Sequence, residues 1–419
     1  MSYGLLGEKL THSYSPRLHA IFADYEYRLY QVAPENLEDF IKNGDWQGLN
    51  VTIPYKKTVL PYLADMSDRA RKIGSVNVIL KQADGTLYGD NTDYGGFAAL
   101  VRRSGIAVRG KKVLVLGSGG ASLTVCRVLE DMAAGEIRVI SRSGEDNYGN
   151  LPLCHADADV IVNTTPVGMY PNAGASPVDL RIFPHLSGVI DIIYNPAKTA
   201  LMLQAQRLGI PFAGGLYMLC EQAREAAEMF LGKKIPQRMT DKAFATLNSE
   251  MRNIVLIGMP GCGKTVIGKR IAALCGREFF DIDKEIEKKA GKSIPDIFAS
   301  DGEEAFRLLE TECCAEICSG TARVIATGGG VVTRERNRDI LRQNSVVVYI
   351  SRDLSRLATG GRPLSQAHSA GELYSERAPM YKEWSDIKIV NSGISPTAFQ
   401  LLNILGIKPN RSKKGGKVK

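Results

Sequence analysis

Seven short runs dominated by apolar, mostly β-branched residues punctuate the chain: KVLVLG, IRVIS, DVIVNTTP, GVIDIIYNP, NIVLIG, RVIATGGG and SVVVYIS. Each holds three to five apolar residues and closes on Gly, Ser, Thr or Pro. Many are separated by stretches of helical periodicity. A continuous apolar run is what a strand buried on both faces requires, so the alternation predicts parallel sheets covered by helices. The expected class is α/β. Ligands in such sheets bind beyond the carboxyl ends of the strands, where the Gly-rich loops of this chain fall.

The 419 residues suggest two or three domains. A polar stretch between about Gly232 and Arg252 precedes a fresh strand. The expected boundaries are residues 1–245 for the first domain, a linker at 246–252, a second domain at 253–408 and a basic disordered tail at 409–419. Within the first domain, 1–97 with about 216–240 form one lobe and 98–215 the other. The net charge is +8, and five of the excess cations lie in RSKKGGKVK. That tail reads as solvated, with a weak phosphate-attracting role as the other reading. A basic protein also suits anionic ligands. The eight cysteines form no disulfide framework, and Cys313, Cys314 and Cys318 have no zinc-spaced partners. With no signal-like N-terminus and no apolar stretch near 18 residues, a cytoplasmic location is expected, with no membrane partner.

The sequence GMPGCGKT fits a phosphate loop: Gly258, four residues, Gly263, Lys264, Thr265, behind a strand. Backbone N–H groups of Gly261, Cys262, Gly263 and the residues through Val266 then face phosphate oxygens. Lys264 reaches the β- and γ-phosphates, and Thr265 ligates Mg²⁺. Asp281 and Asp283 stand two apart. Taken alone they could be a helix cap. Arg307 and Glu310 share a helical face, and alone could be an exposed ion pair. Gly328, Gly329 and Gly330 end a strand, and alone could be a turn. Further on stand GRPLS and SERAPMYKEW.

Together, in this order, these stretches resemble the shikimate kinases over about Met251 to Gly406. The resemblance implies a P-loop kinase fold of the nucleoside-monophosphate-kinase type. It assigns Asp283, Arg307, Gly329 and Arg377 to the acceptor acid, with Asp283 and Lys264 in catalytic roles. It also assigns Arg362 to a lid over ATP, and Thr265 and Asp281 to Mg²⁺. Ser365 stands where the family usually has Leu.

GSGGAS only partly meets G-x-G-x-x-G, because Ser122 holds the third Gly position. The strand before it and the helix after it strengthen the reading. About twenty residues on, an NAD site would show Asp or Glu. Here the strand ends in Ser141, Arg142 and Ser143. A guanidinium there pairs with a 2′-phosphate and predicts NADP. A solvated loop arginine is the alternative.

Upstream and downstream, Ser13, Ser15, Thr52, Lys56, Asn77, Asp93, Tyr194 and Gln222 complete a set that resembles the shikimate dehydrogenases over about Tyr3 to Gly232. NTTPVGM is part of the match. The resemblance implies a two-lobed enzyme with a Rossmann-type NADP lobe. Ser13, Ser15, Thr52, Asn77, Asp93, Tyr194 and Gln222 would surround the substrate, and Lys56 and Asp93 would form the catalytic pair. Gly117, Ser118, Gly119, Gly120, Ala121, Ser141, Arg142, Ser143, Ile192 and Gly215 would hold the cofactor. Tyr94 stands where Gly is frequent.

Both halves together imply a bifunctional enzyme using NADP, ATP and Mg²⁺. It would reduce 3-dehydroshikimate to shikimate and then phosphorylate shikimate. Two alternatives stay open: a first half that only binds shikimate as a regulatory module, and a dehydrogenase that also accepts quinate. Basic residues without interleaved aromatic platforms argue against a nucleic-acid partner. Oligomeric state is left open by the pattern.

Overall fold

The computed structural model describes residues 2–10, 13–357 and 370–410. They fall into two compact units divided at Thr246/Leu247, with Asn195–Lys198 grouped with the second. No helix among them is long and apolar enough to cross a membrane. Arg362, the lid around it and nearly all of the predicted tail lie outside the described residues.

The first unit contains two sheets. One has strands β1 (Tyr3–Gly7), β2 (Tyr27–Gln31), β3 (Gly48–Val51), β4 (Asp65–Met66), β5 (Val78–Lys81) and β6 (Leu87–Asp90), in the order β2-β1-β3-β5-β6-β4. It is mixed: β3 pairs antiparallel with β5, and β5 with β6. The cause is local. Asp84-Gly85 turns the chain back on itself with Gly85 at φ 85°, and a short hairpin gives antiparallel neighbours.

The other sheet is fully parallel, with β7 (Lys112–Leu116), β8 (Glu136–Ile140), β9 (Val160–Asn163), β10 (Gly188–Asp191) and β11 (Phe212–Gly214) in the order β11-β10-β9-β7-β8. Its central strands are apolar on both faces because helices cover both. Val113, Leu114, Val115 and Leu116 are all fully buried.

The second unit is built on a parallel sheet of β12 (Asn253–Ile257), β13 (Glu278–Asp281), β14 (Arg323–Ala326), β15 (Ser345–Ser351) and β16 (Ile387–Val390), in the order β13-β14-β12-β15-β16. Cys313, Cys314 and Cys318 are core residues of the Gly302–Cys318 helix. No metal-holding cluster of His, Cys, Asp and Glu occurs among the described residues.

Two expected boundaries fall on helices. Residues 246–252 were expected as a linker, but a helix runs from Arg238 to Met251. Its Ala243, Leu247 and Met251 are buried at a spacing of four, which makes that polar-looking stretch amphipathic rather than loose. The cut at 97/98 falls inside the Thr92–Ser104 helix. That helix ends only at Gly105, whose φ of 69° supplies the left-handed stop.

Candidate active sites

In the first unit the Lys56 ammonium donates to Asp93 Oδ2 at 2.6 Å. Lys56 lies just beyond β3, and Asp93 lies in the first turn of the Thr92–Ser104 helix. Their side chains are 30% and 18% exposed, so the pair is reachable yet partly desolvated. Asn77 fixes that helix start. Its Oδ1 accepts from the Thr92 backbone N–H at 2.7 Å and from the Thr92 hydroxyl at 3.2 Å. No protein acceptor for its amide N–H₂ group appears among the described residues.

A second brace was not anticipated from the sequence. Arg69 grips Asp90 through Nε at 2.7 Å and Nη2 at 2.8 Å, and reaches Glu225 Oε2 at 3.0 Å. Burial pushes the Asp90 carboxyl up, but the Arg69 hydrogen bonds and charge outweigh it and hold the carboxyl below its usual range. Because Asp90 precedes the helix, this network sets where Asp93 points. Its members are far apart in sequence, so no local motif announces it.

The other expected contacts fall nearby or on neighbouring elements. Ser13 Oγ accepts from the Ser15 N–H at 3.2 Å. The Tyr14 and Tyr194 rings meet edge to face with centroids 6.2 Å apart. Thr52 follows β3, and its N–H donates to Leu6 O at 2.9 Å. Gln222, on the Leu216–Leu231 helix, donates to Leu219 O at 3.0 Å, within its own helix.

The dinucleotide loop joins β7 to the Gly120–Asp131 helix. Gly117 takes φ 101°, where a side chain would be strained. A Cβ there would also lie 2.8 Å from Thr165 Cγ2. Gly119 and Gly120 face open space, with no atom within 4 Å of a Cβ built on either. Ser118 is exposed, and Ala121 is part of the helix start. Ser122, in place of the third Gly, is buried and donates its hydroxyl to Gly119 O at 2.8 Å. The substitution therefore fastens the loop instead of opening it.

Arg142 and Ser143 are exposed beyond β8, and Arg142 acts electrostatically on Tyr148. Ser141 N–H is committed to Asp146 O at 3.1 Å. Ile192 follows β10, and the Gly215 N–H donates to Ile193 O at 3.0 Å. The open loop, the helix N-terminus and a cation where an acid would select NAD suit NADP.

In the second unit one cavity of about 510 Å³ is lined by Gly261, Gly263, Lys264, Thr265 and Val266 together with Asp283, Arg307, Gly329 and Arg377. The Lys264 ammonium, nearly buried, donates to Gly258 O at 2.8 Å and Met259 O at 3.0 Å. These carbonyls occupy the donors a phosphate would take. Thr265 Oγ1 donates to Asp281 Oδ2 at 2.7 Å. Two oxygen donors and no all-protein cage are what Mg²⁺ needs when phosphates complete its shell. The Cys262 thiol is buried behind the loop, so its backbone alone is available to a phosphate.

Arg307 is buried rather than solvent-exposed. It donates to Glu310 Oε2 at 2.8 Å and Glu303 Oε1 at 3.1 Å. Burial pushes the Glu310 carboxyl up; Arg307 opposes this, and Asp283 adds to the rise. The Gly triplet lets these groups approach. A Cβ on Gly328 would lie 2.8 Å from Asp283 Oδ1 and 2.9 Å from Glu310 Oε1. One on Gly330 would strike the Arg307 guanidinium. Tyr381 donates its hydroxyl to Gly329 O, and Arg377 acts electrostatically on Tyr381. Asn391 braces the phosphate loop by donating to Cys262 O at 2.7 Å. It was not anticipated, because it lies 129 residues away in sequence.

Comparison with known proteins agrees with this geometry. Residues 5–79 match the shikimate dehydrogenase substrate binding domain, and residues 260–405 match shikimate kinase. The chain is 36% identical over 268 residues to a shikimate dehydrogenase (NADP(+)) of Clostridium beijerinckii, covering 60% of this chain and 99% of the relative. It is 35% identical over 266 residues to that of Clostridium perfringens strain SM101, covering 58% and 97%. Among solved structures, a chorismate mutase/shikimate 5-dehydrogenase fusion protein from Clostridium acetobutylicum superposes with a TM-score of 0.56 at 37% identity, over 59% of this chain and 96% of that one. Shikimate dehydrogenase 1 from Peptoclostridium difficile does so at 0.54 and 36%, over 59% and 97%. The chain belongs to the shikimate dehydrogenase family and carries, fused behind that part, a domain of the shikimate kinase family.

Proposed function

We infer that this chain is a bifunctional shikimate-pathway enzyme that reduces 3-dehydroshikimate to shikimate and phosphorylates shikimate to shikimate 3-phosphate. When bound, NADPH supplies the hydride of the first reaction and Mg-ATP the phosphoryl group of the second. Lys56 acts as general acid, giving a proton to the oxygen of the carbonyl as it is reduced, and Asp93 keeps the ammonium aimed. Ser13 and Ser15 hold the carboxylate. Thr52, Asn77, Tyr194 and Gln222 surround the ring. In the second unit Arg307 and Arg377 fork onto the carboxylate, and Asp283 takes the proton of the attacking hydroxyl. Lys264 exchanges its loop carbonyls for phosphate oxygens and neutralises charge on them.

The observation that carries the reading is a shared cavity in the second unit. A phosphate cradle and a carboxylate grip of two arginines and one acid open into the same space. In the first unit, a regulatory module that merely bound the acid would have no use for the Lys56–Asp93 pair. Two separate assays on purified protein test the reading: NADPH oxidation with 3-dehydroshikimate, and ADP release with shikimate and Mg-ATP. Both are expected above background, and absence of either removes that half.

A further inference from the structure

The sheet of the second unit has two ends, and the reaction uses only one. Strands β12 and β15 run parallel with Asn253 opposite Ser345. The phosphate loop follows β12, so the starts of both strands lie at the opposite end of the sheet. Two arginines meet there. Arg252 immediately precedes β12, and Arg342 lies in the last turn of the Glu335–Gln343 helix, three residues before β15 begins. Arg252 Nη2 donates to Ser345 O at 2.7 Å. Two residues along the same strand, the Val347 N–H donates to Asp386 Oδ2 at 2.9 Å, and Val347 O accepts from the Asp386 N–H at 2.8 Å. Alternate residues of a strand present their backbone groups to one side, roughly 7 Å apart, so the Arg252 guanidinium and Asp386 are neighbours. Arg342 Nη2 stands 3.6 Å from Asp386 Oδ1, too far for a hydrogen bond.

Donors outnumber acceptors at this end. Eleven buried side-chain nitrogens and oxygens lack a partner among the described residues, and three of them gather here: Arg252 Nε, Arg342 Nε and Ser345 Oγ. Ser345 is only 1% exposed. The two guanidiniums share one nearby acid, and that carboxylate already accepts from the backbone. It cannot satisfy both forks and a hydroxyl as well. Burial pushes the Arg252 pKa below its usual value; Asp386 opposes this, but Arg342 adds to the fall. Arg338, one turn before Arg342 on the same helix, shows the ordinary arrangement, paired with Glu335 at 3.1 Å and with Glu383 at 2.8 Å. Unmet buried donors destabilise a fold, so packing alone does not account for Arg252 and Arg342. The Arg342 and Asp386 side chains are 14% and 28% exposed, so solvent reaches the place.

We propose that Arg252, Arg342 and Ser345 form a binding site for one small oxyanion of the phosphate class, at the end of the second unit's sheet opposite the phosphate loop. The site offers donors from two guanidiniums and a hydroxyl, and a tetrahedral oxyanion accepts from several directions at once. Its charge balances the guanidinium that Asp386 leaves uncompensated. Ligands of parallel sheets bind beyond the carboxyl ends of the strands, so this site is separate from the nucleotide and acceptor cavity. Arg252 opens the first strand of the unit. An anion held between it and Arg342 ties the entry of that strand to the start of β15, and occupancy therefore stabilises the unit.

The test is calorimetric titration of inorganic phosphate into full-length protein at constant ionic strength, with NADP⁺ and Mg-ADP filling the nucleotide cradles. Saturable binding is expected. Arg342→Gln and Arg252→Gln should each weaken it about 10- to 100-fold, the loss of a hydrogen bond to a charged group, and a variant lacking Arg307 and Arg377 should keep it. Both enzymatic activities should stay within about twofold of wild type in the two glutamine variants. Ser345→Ala, which removes one hydroxyl, should weaken binding about threefold and serves if a glutamine variant purifies poorly. Phosphate should also raise the melting temperature of the wild-type protein more than chloride does at equal ionic strength. No saturable binding, binding that neither glutamine variant weakens, or chloride bound as tightly as phosphate would overturn the proposal.

Discussion

The two nucleotide cradles solve one problem with different amounts of protein. In the second unit Gly258, Gly261 and Gly263 all take positive φ, a nearly buried lysine sits inside the loop, and Asn391 props it from behind. In the first unit's loop only Gly117 among its glycines does so, the loop faces open space, and the cation Arg142 stands off at the next strand end. A loop that must stabilise charge shifting between phosphoryl oxygens needs a lysine among its donors. One that only anchors a pyrophosphate needs the helix N-terminus and room. The buried supports differ as well. Beneath the first loop, Asp191 accepts from Thr199 Oγ1 at 2.7 Å and from Asn163 Nδ2 and the Ile193 N–H, each at 3.1 Å.

The sharpest way to break this contrast is to show that the halves are not separable. Lys56→Ala is expected to lower kcat for NADPH oxidation about 10³-fold, the range of a lost general acid, with phosphorylation of added shikimate intact. Lys264→Ala should do the converse. Phosphorylation falls about 10²- to 10³-fold, as for loss of one preorganised donor, and reduction is untouched. A kinetic cross-effect in either variant would contradict independent cradles.

Asp191 sharpens the comparison through pH. Burial lifts its pKa from 3.8 to about 6, against the pull of its three hydrogen bonds. The folded state then favours the protonated form, so its contribution is full below the unfolded value and fades as pH rises through about 6. Relative to Asp191→Asn, the wild-type protein should lose about 2 kcal/mol of stability on going from about pH 4 to pH 7. Chemical denaturation across that window reads the difference, and parallel curves would refute it. The smallest effect concerns specificity. Arg142→Ala should raise KM for NADPH about tenfold and leave NADH almost unaffected, as expected for one exposed guanidinium on a 2′-phosphate.

Much of this arrangement is legible in the chain. Strands buried on both faces, such as KVLVL and NIVLI, carry continuous apolar runs, and the loops after them are glycine-rich. The strand YRLYQ does not stand out, because it is an edge strand with Arg28 and Gln31 in water. The two-residue β4 is too short to leave a pattern. Residues with local motifs, such as Lys264, Thr265 and Arg307, can be found by spacing. Arg69, Asp90, Glu225, Asn391 and Asp191 act through partners far away in sequence or through burial, and neither leaves a local mark. The burial of Arg307 and Glu310 is likewise invisible, since a paired Arg and Glu three apart read equally well as a surface pair.

The central claim is that one acid is gripped twice by one chain. Calorimetric titration of shikimate into protein saturated with NADP⁺ and Mg-ADP measures this directly. Two equivalents are predicted, falling to one in a variant lacking Arg307 and Arg377 and to one in a variant lacking Ser13 and Ser15. A stoichiometry of one in the unaltered protein, or of two that neither variant reduces, would contradict the account.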